Sequence, residues 1–427
     1  MAQKLKFGGG TWATKKGSTL AYNDENNNYK PLPFTTTRNS IATRVNKEGL
    51  IEVVGNDVPR IDYTDSSDGA LLLENSATNL VTYSQDFSSG WSLDDATVSI
   101  NSGISPDGTL NATLLKGNTN SSRHNLVTSA GANNTGTFSI FVKAKELKYV
   151  QIASANTTEQ YVNFDLMNGV IGTVGSSFSN AKIEDYGNGW YRCIVVSANQ
   201  FNGFYFSLVN GLNATWLESW VMPNSTDGLY IWGAMLEQNS FSTSYIPTSG
   251  STVTRQADTA NGSGNSEVFN DSEGVLMFEG RALVDDNTSK RISISDGSSN
   301  PNNLVCIDMS EYTNTIVGRI RTSNSEVAFL QSASQNQTQK NKIAVKYKVN
   351  DFALWINGFE VDTDNNGAVP IGLNDVSFDR GNGSNDFYGK TKELGYYDTA
   401  LTDAELETLT SYRSLSELVT ELNLNTL

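Results

Sequence analysis

The sequence predicts an all-β protein: two tandem β-sandwich, jelly-roll-like domains after an N-terminal arm, closed by short C-terminal helices. Three observations carry this. Only 18% of the 427 residues are charged, below the ~25% usual for soluble proteins, and Asn, Ser, Thr and Gly take up the difference. Such a composition suits many short strands joined by tight turns. Apolar residues alternate with period two, as in residues 137–144, where Phe138, Ile140 and Val142 share one face. Hairpin dipeptides punctuate the runs, at Asn168-Gly169 after Tyr161-Val162-Asn163-Phe164 and at Asn357-Gly358. The length suits two or three domains, and 10% aromatic residues are too many for a disordered chain.

Along the chain, residues 1–77 read as an arm. Leu50-Ile51-Glu52-Val53-Val54 and Ala70-Leu71-Leu72-Leu73 are short strands, and Pro31, Pro33 and Pro59 break anything longer. The arm is expected to attach to a partner, with an extension packed on its own domain as the other reading. Deleting it should then leave a soluble, folded protein. Residues 78–258 form the first sandwich, with Trp190 and Trp232 in apolar, buried strands. Residues 259–267 (TANGSGNSE) look like a linker. Residues 268–412 form the second sandwich, clearest at 342–361, where Asn350-Asp351 and Asn357-Gly358 turn a three-strand meander.

The end is helical. Thr402-Asp403-Ala404-Glu405 is a capping box with Leu401 and Leu406 as its hydrophobic staple, and Ser414-Leu415-Ser416-Glu417 is a second box. Residues 413–427 form a tail whose Leu415, Leu418 and Leu422 make a stripe at helical spacing. The stripe either packs on the sandwich or meets symmetry mates.

Several functions are excluded. One histidine, His124, cannot build a multi-histidine zinc site, and Cys193 and Cys306 stand outside any CxxC pattern. A net charge of −16 argues against nucleic acid and anionic membranes. No run approaches the ~20 apolar residues of a membrane span, so no membrane insertion is expected. No signal-like segment follows Met1, so an adhesive-looking chain is expected to reach the outside within a virus particle released by lysis.

Residues 78–91 (TNLVTYSQDF to Trp91), Ser105-Pro106-Asp107-Gly108-Thr109, and residues 230–248 (YIWGAMLE to SYIPT) together resemble the phage head-spike or tail-fibre sandwich module. The stretch from Arg44-Val45 through Pro59-Arg60-Ile61-Asp62-Tyr63 to Leu71-Leu72-Leu73-Glu74 is similar to the arm that often precedes it. Residues 392–406 (KELGYYDTALTDAEL) resemble the close of a concanavalin A-like, laminin-G-like domain. The resemblance implies a virion structural protein, a fibre or spike held to capsid or tail proteins through its arm, adhering to host-surface polysaccharide. A homotrimer is expected, because joined copies raise avidity. The alternatives are a virion-associated glycan depolymerase and a bacterial carbohydrate-binding surface protein.

Candidate site residues follow from that reading. Trp216, Trp220 and Trp355 are candidate platforms for pyranose rings, although Trp355 lies in an apolar strand context that favours core packing. Residues 362–367 (DTDNNG) match the first half of a calcium loop, so Asp362 and Asp364 are candidate Ca2+ ligands. Leu373 stands where the bidentate acid belongs, which excludes an EF-hand and makes an Asx-rich turn the simpler reading. No catalytic residue, no cofactor and no enzymatic activity are expected.

Overall fold

A computed structural model describes residues 3–128, 134–154, 157–178, 180–201 and 203–421. The chain divides into two units: Ser40–Val54 with Ser76–Gln256, and Met1–Asn39 with Gly55–Asn75 and Ala257–Leu427. Strands paired antiparallel build both, as the alternating sequence demands.

The first unit holds two six-stranded sheets. In one, the order is Ser92–Asp94, His124–Thr128, Phe204–Leu208, Tyr149–Ser154, Tyr161–Asp165 and Val170–Val174. The other runs Ala96–Ile104, Leu110–Gly117, Gly228–Glu237, Asn134–Lys143, Trp190–Phe201 and Asn180–Asp185. Inward residues of the two sheets, among them Phe138, Ile140, Val142, Ile152, Phe164 and Phe206, form one core. Trp190 and Trp232 are buried in a second cluster with Phe141 and Tyr245. Gly169 turns the 161–174 hairpin with φ +63°, the backbone region its missing Cβ permits.

The second unit places a long sheet over a five-stranded one. The long sheet runs Thr259–Asn261, Lys30–Thr37, Ser18–Asn23, Leu5–Gly8, Gly389–Tyr397, Glu273–Ala282, Asn341–Lys348, Phe352–Ile356 and Phe359–Asp364. The smaller sheet runs Ser325–Gln331, Thr315–Thr322, Leu304–Tyr312, Lys290–Ser295 and Asp375–Ser377. Leu276, Phe278, Ile343 and Val345 of the former share a core with Ile292, Ile307 and Ile320 of the latter. On the outer side of the long sheet, Leu401 and Leu406 pack on Val275, Met277 and Ala344. The helix Asp403–Thr410 starts at the expected capping box, with Thr402 N donating to Glu405 Oε2 at 2.9 Å.

Two expectations about organisation are corrected. Residues 1–77 are not a separate arm. Leu5–Gly8 pairs with the last strand, from Leu5↔Tyr396 to Gly8↔Glu393, and Leu5, Phe7, Phe34 and Leu71 lie in the main core of the second unit. Residues 42–54 instead form a hairpin of the first unit. Nor are residues 259–267 a linker, since Thr259–Asn261 pairs with Lys30–Thr37 and Ala260 is fully buried. Both corrections have one cause: the pairings join segments far apart in sequence, and local pattern carries no trace of them. At the C-terminus, Leu415 is 70% exposed, while Leu422 lies outside the described residues. No helix among the described residues is long and apolar enough to cross a membrane.

Candidate functional site

Trp355 is corrected from platform to core. It is only 6% exposed, packed with Val275, Met277, Ala344 and Leu406. Every residue of its strand Phe352–Ile356 is buried, because the main core covers one face and the helix Asp403–Thr410 the other. Trp216 and Trp220, in the other unit, are half-buried and tethered. Trp216 donates its indole N–H to Ser154 O at 3.1 Å, and the Arg123 guanidinium lies 5.7 Å from its ring centre. Trp220 donates to Leu208 O at 2.9 Å and meets buried His124 edge-on at 5.8 Å. His124 itself faces backbone carbonyls with both ring nitrogens, Asp95 O at 2.9 Å and Trp220 O at 3.2 Å.

Asp362 and Asp364 end the edge strand Phe359–Asp364. Asp362 accepts the Gln331 and Thr363 N–H groups, both at 2.9 Å, and Asp364 accepts that of Asn366 at 2.9 Å. These carboxylates therefore serve backbone donors at a strand end and an Asx turn. Among the described residues, no group of three or more His, Cys, Asp or Glu is arranged to hold a metal ion.

The smaller sheet of the second unit carries a denser arrangement. Its strands send Ile292, Ile294, Val305, Ile307, Ile320 and Leu330 inward, so alternation puts Arg291, Ser293, Cys306, Asp308, Arg319, Arg321 and Phe329 on the opposite face. Register brings them together: Arg291 stands opposite Asp308, and Cys306, Arg319 and Phe329 form one cross-strand row. Arg291 Nε meets Asp308 Oδ2 at 2.7 Å. Arg319 reaches Asp308 at 3.4 Å and Glu326 at 2.6 Å, and also pairs with Glu311. The Arg319 guanidinium lies 4.6 Å from the Phe329 ring centre, and Tyr312, 46% exposed, meets Phe329 edge-on at 6.4 Å.

Burial pushes the Asp308 carboxyl up to about 6 against the pull of Arg291, and the neighbouring Glu311 carboxylate adds to the rise. Glu311 moves the other way. Burial opposes its ionisation, but the hydrogen bond with Asp308 and the Arg319 charge hold it low. The result is an aromatic edge flanked by an oriented guanidinium and two carboxylates. Ring C–H faces stack on such aromatics, while charged acceptors and donors take sugar hydroxyls. Sequence reading missed Tyr312, Arg319 and Phe329. Their signal was the outward parity of Arg319 and Arg321 in residues 315–322 (TIVGRIRT), flanked by Glu311 and Glu326.

A cleft of about 320 Å³ lies elsewhere on this unit, lined by Asp62, Asp65, Arg281, Lys340, Lys390 and Lys392 among others. Its charges are matched: Lys390 with Asp62 at 2.9 Å and Asp65 at 3.1 Å, Arg281 with Asp65 at 2.9 Å, and Lys392 with Glu279 at 3.1 Å. Burial opposes ionisation of Asp65, but Lys390 and Arg281 outweigh it and hold its carboxyl at about 2. A pKa depressed on folding contributes stability above the unfolded value of 3.8, lost as pH falls toward 2. Thermal melts should therefore show parent protein above D65N at pH 6, with the gap closing between pH 4 and 2. An unchanged gap at pH 2 contradicts the assignment.

No family model matches this chain, and neither does any curated protein. Similar solved structures include the Ruminococcus gnavus IT-sialidase CBM40, at 16% identity over 35% of this chain and 94% of that one, with TM-score 0.30. Mouse laminin alpha1 chain domains LG4-5 align at 9% identity over 79% of this chain and 90% of that one, with TM-score 0.23. Trypanosoma rangeli sialidase in complex with sialic acid aligns at 8% identity over 93% and 82%, with TM-score 0.26.

Proposed function

We propose that the protein is a non-catalytic adhesin on the surface of a bacteriophage particle, binding host-surface glycans through the polar face of its five-stranded sheet. The observation that carries this is the exposed Tyr312 edge on Phe329, beside a guanidinium held by three carboxylates. An aromatic surface with oriented charges binds pyranose rings and needs no further chemistry. The particle setting is supported by the resemblance of residues 78–248 to a head-spike or tail-fibre module, with attachment to capsid or tail proteins and assembly as a homotrimer.

The non-catalytic reading is supported by the state of the carboxyl at the centre of this face. A glycosidase needs an accessible acid facing the scissile oxygen. Asp308, one of several carboxyls that burial raises, has no exposed side-chain surface and is salt-bridged to Arg291.

Binding of host polysaccharide to immobilised full-length protein tests the reading. Y312A is expected to weaken binding about 5- to 10-fold, the ~1–1.5 kcal/mol of one aromatic contact, without lowering the melting temperature. F329A should act in the same direction. Equal binding by Y312A and parent overturns the site, and release of reducing ends that D308N abolishes puts a depolymerase in place of the adhesin.

A further inference from the structure

We infer that Arg321 and Arg380 form an anion subsite on this same sheet face, taking the carboxylate or sulfate borne by an acidic sugar. The inference rests on the glycan reading above and names the class of glycan. Four arginines gather here. Arg291 and Arg319 are matched by Asp308, Glu311 and Glu326. Arg321 and Arg380 are not: among the described residues neither has a carboxylate partner. Arg321 donates through Nη2 to Asn324 O at 3.0 Å and Asn324 Oδ1 at 2.8 Å, contacts that orient it and leave its charge unmatched. The Arg380 side chain is half-buried, and its Nε and that of Arg321 are covered without an acceptor.

Their placement follows from register and from one turn. Ser293, Cys306 and Arg319 stand in a row across adjacent strands, and Arg321 lies two residues further along the strand of Arg319, on the same face. The turn after Asp375–Ser377 folds back over this row, with Ser293 Oγ donating to Asp379 O at 2.7 Å and Arg380 N to Ser384 O at 3.0 Å. Arg380 is thereby brought to the group it repels. Burial disfavours its charge first, and Arg321 and Arg291 add to that. In a chain of net charge −16, two guanidinium groups on one sheet face, close enough for one to disfavour the other's charge and neither paired with a carboxylate among the described residues, are a local exception. An oxyanion relieves the repulsion, and planar guanidinium forks suit carboxylate or sulfate oxygens. Tyr312 and Phe329 on the same sheet face would hold the ring of that sugar.

A sugar-borne oxyanion and a free inorganic anion share this chemistry, so the experiment separates them. Full-length parent protein, R321A, R380A and Y312A are titrated calorimetrically with glucuronic acid, glucose, inorganic sulfate and inorganic phosphate, after circular dichroism confirms the fold of each. The parent is expected to prefer glucuronic acid to glucose at least 10-fold, and R321A and R380A to abolish that preference. Y312A should weaken both sugars. Glucuronic acid bound no better than glucose, or a preference intact in R380A, overturns the subsite. Sulfate or phosphate binding as tightly as glucuronic acid overturns the sugar assignment in favour of a free-anion site. An Arg380-dependent preference with no effect of Y312A retains the subsite and rejects the aromatic platform.

Discussion

A chain starting at Thr78 is expected to lose its C-terminal unit altogether. Removing residues 1–77 takes Leu5, Phe7, Leu32, Phe34, Ile61, Leu71 and Leu73 out of the core they share with Leu276, Phe278 and Tyr396. At ~1.5–3 kcal/mol for each buried side chain, the loss is ~10–20 kcal/mol, against a whole-domain stability of ~5–15 kcal/mol. The deletion also strips Leu5–Gly8 and Ala70–Leu73 from the strand Gly389–Tyr397, leaving an unpaired edge open to aggregation. Expression of 78–427 should therefore give insoluble protein, or soluble protein without near-ultraviolet dichroism from the second unit. A soluble fragment that unfolds cooperatively in both units contradicts this. The experiment also bears on attachment, since absence of such a truncated chain from particles would report misfolding before it reported a lost contact.

What was legible in the sequence was whatever repeats within one or two strands. Phe138, Ile140 and Val142 are fully buried, as their alternation demands. The 342–361 meander appears as Asn341–Lys348, Phe352–Ile356 and Phe359–Asp364, with Asn350 and Asn357 at φ 55° and 51° in its turns. The capping box at Thr402 needs four residues and was equally plain. The pairing of Leu5 with Tyr396 was not legible, because a four-residue strand gives no hint of its partner. Trp355 carries a related lesson: its strand is apolar on both faces, which follows from the helix behind it. The candidate site fails to show for a third reason. Arg319 and Phe329 meet only through the register of a hairpin with an irregularity at Ile320/Arg321, so parity tells the face but not the neighbours.

Asp258→Ala should destabilise the second unit by ~3–5 kcal/mol, the cost of leaving a buried charge without its partner. Arg38, Arg60, Glu74 and Asp258 form a network in which no side chain is more than 6% exposed. Asp258 accepts from Arg38 Nη1 at 2.9 Å, from Arg60 Nη2, and from the Glu74 backbone N–H at 3.0 Å. Arg60 is shared with Glu74 at 2.6 Å, and burial, which disfavours its charge, is outweighed by both carboxylates, so its pKa rises. Two positive and two negative charges balance, and removing Asp258 takes away the carboxylate that both guanidinium groups share. Three of the four stand next to points where the chain enters or leaves this unit, Arg38 before Ser40, Glu74 before Ser76 and Asp258 after Gln256, and Arg38 Nη2 bonds Gly55 O at 2.6 Å at the remaining one. Each of these chain ends is thus anchored within the second unit by the same ions. Urea unfolding followed by tryptophan fluorescence should place the D258A midpoint well below that of the parent, with D258N between them because it keeps acceptor capacity without the charge. A D258A loss below ~1 kcal/mol, the range of an exposed pair, contradicts a buried and coupled network. A double-mutant cycle with Arg38→Met then measures the coupling: if the network acts as a unit, the second substitution costs much less in D258A than in the parent.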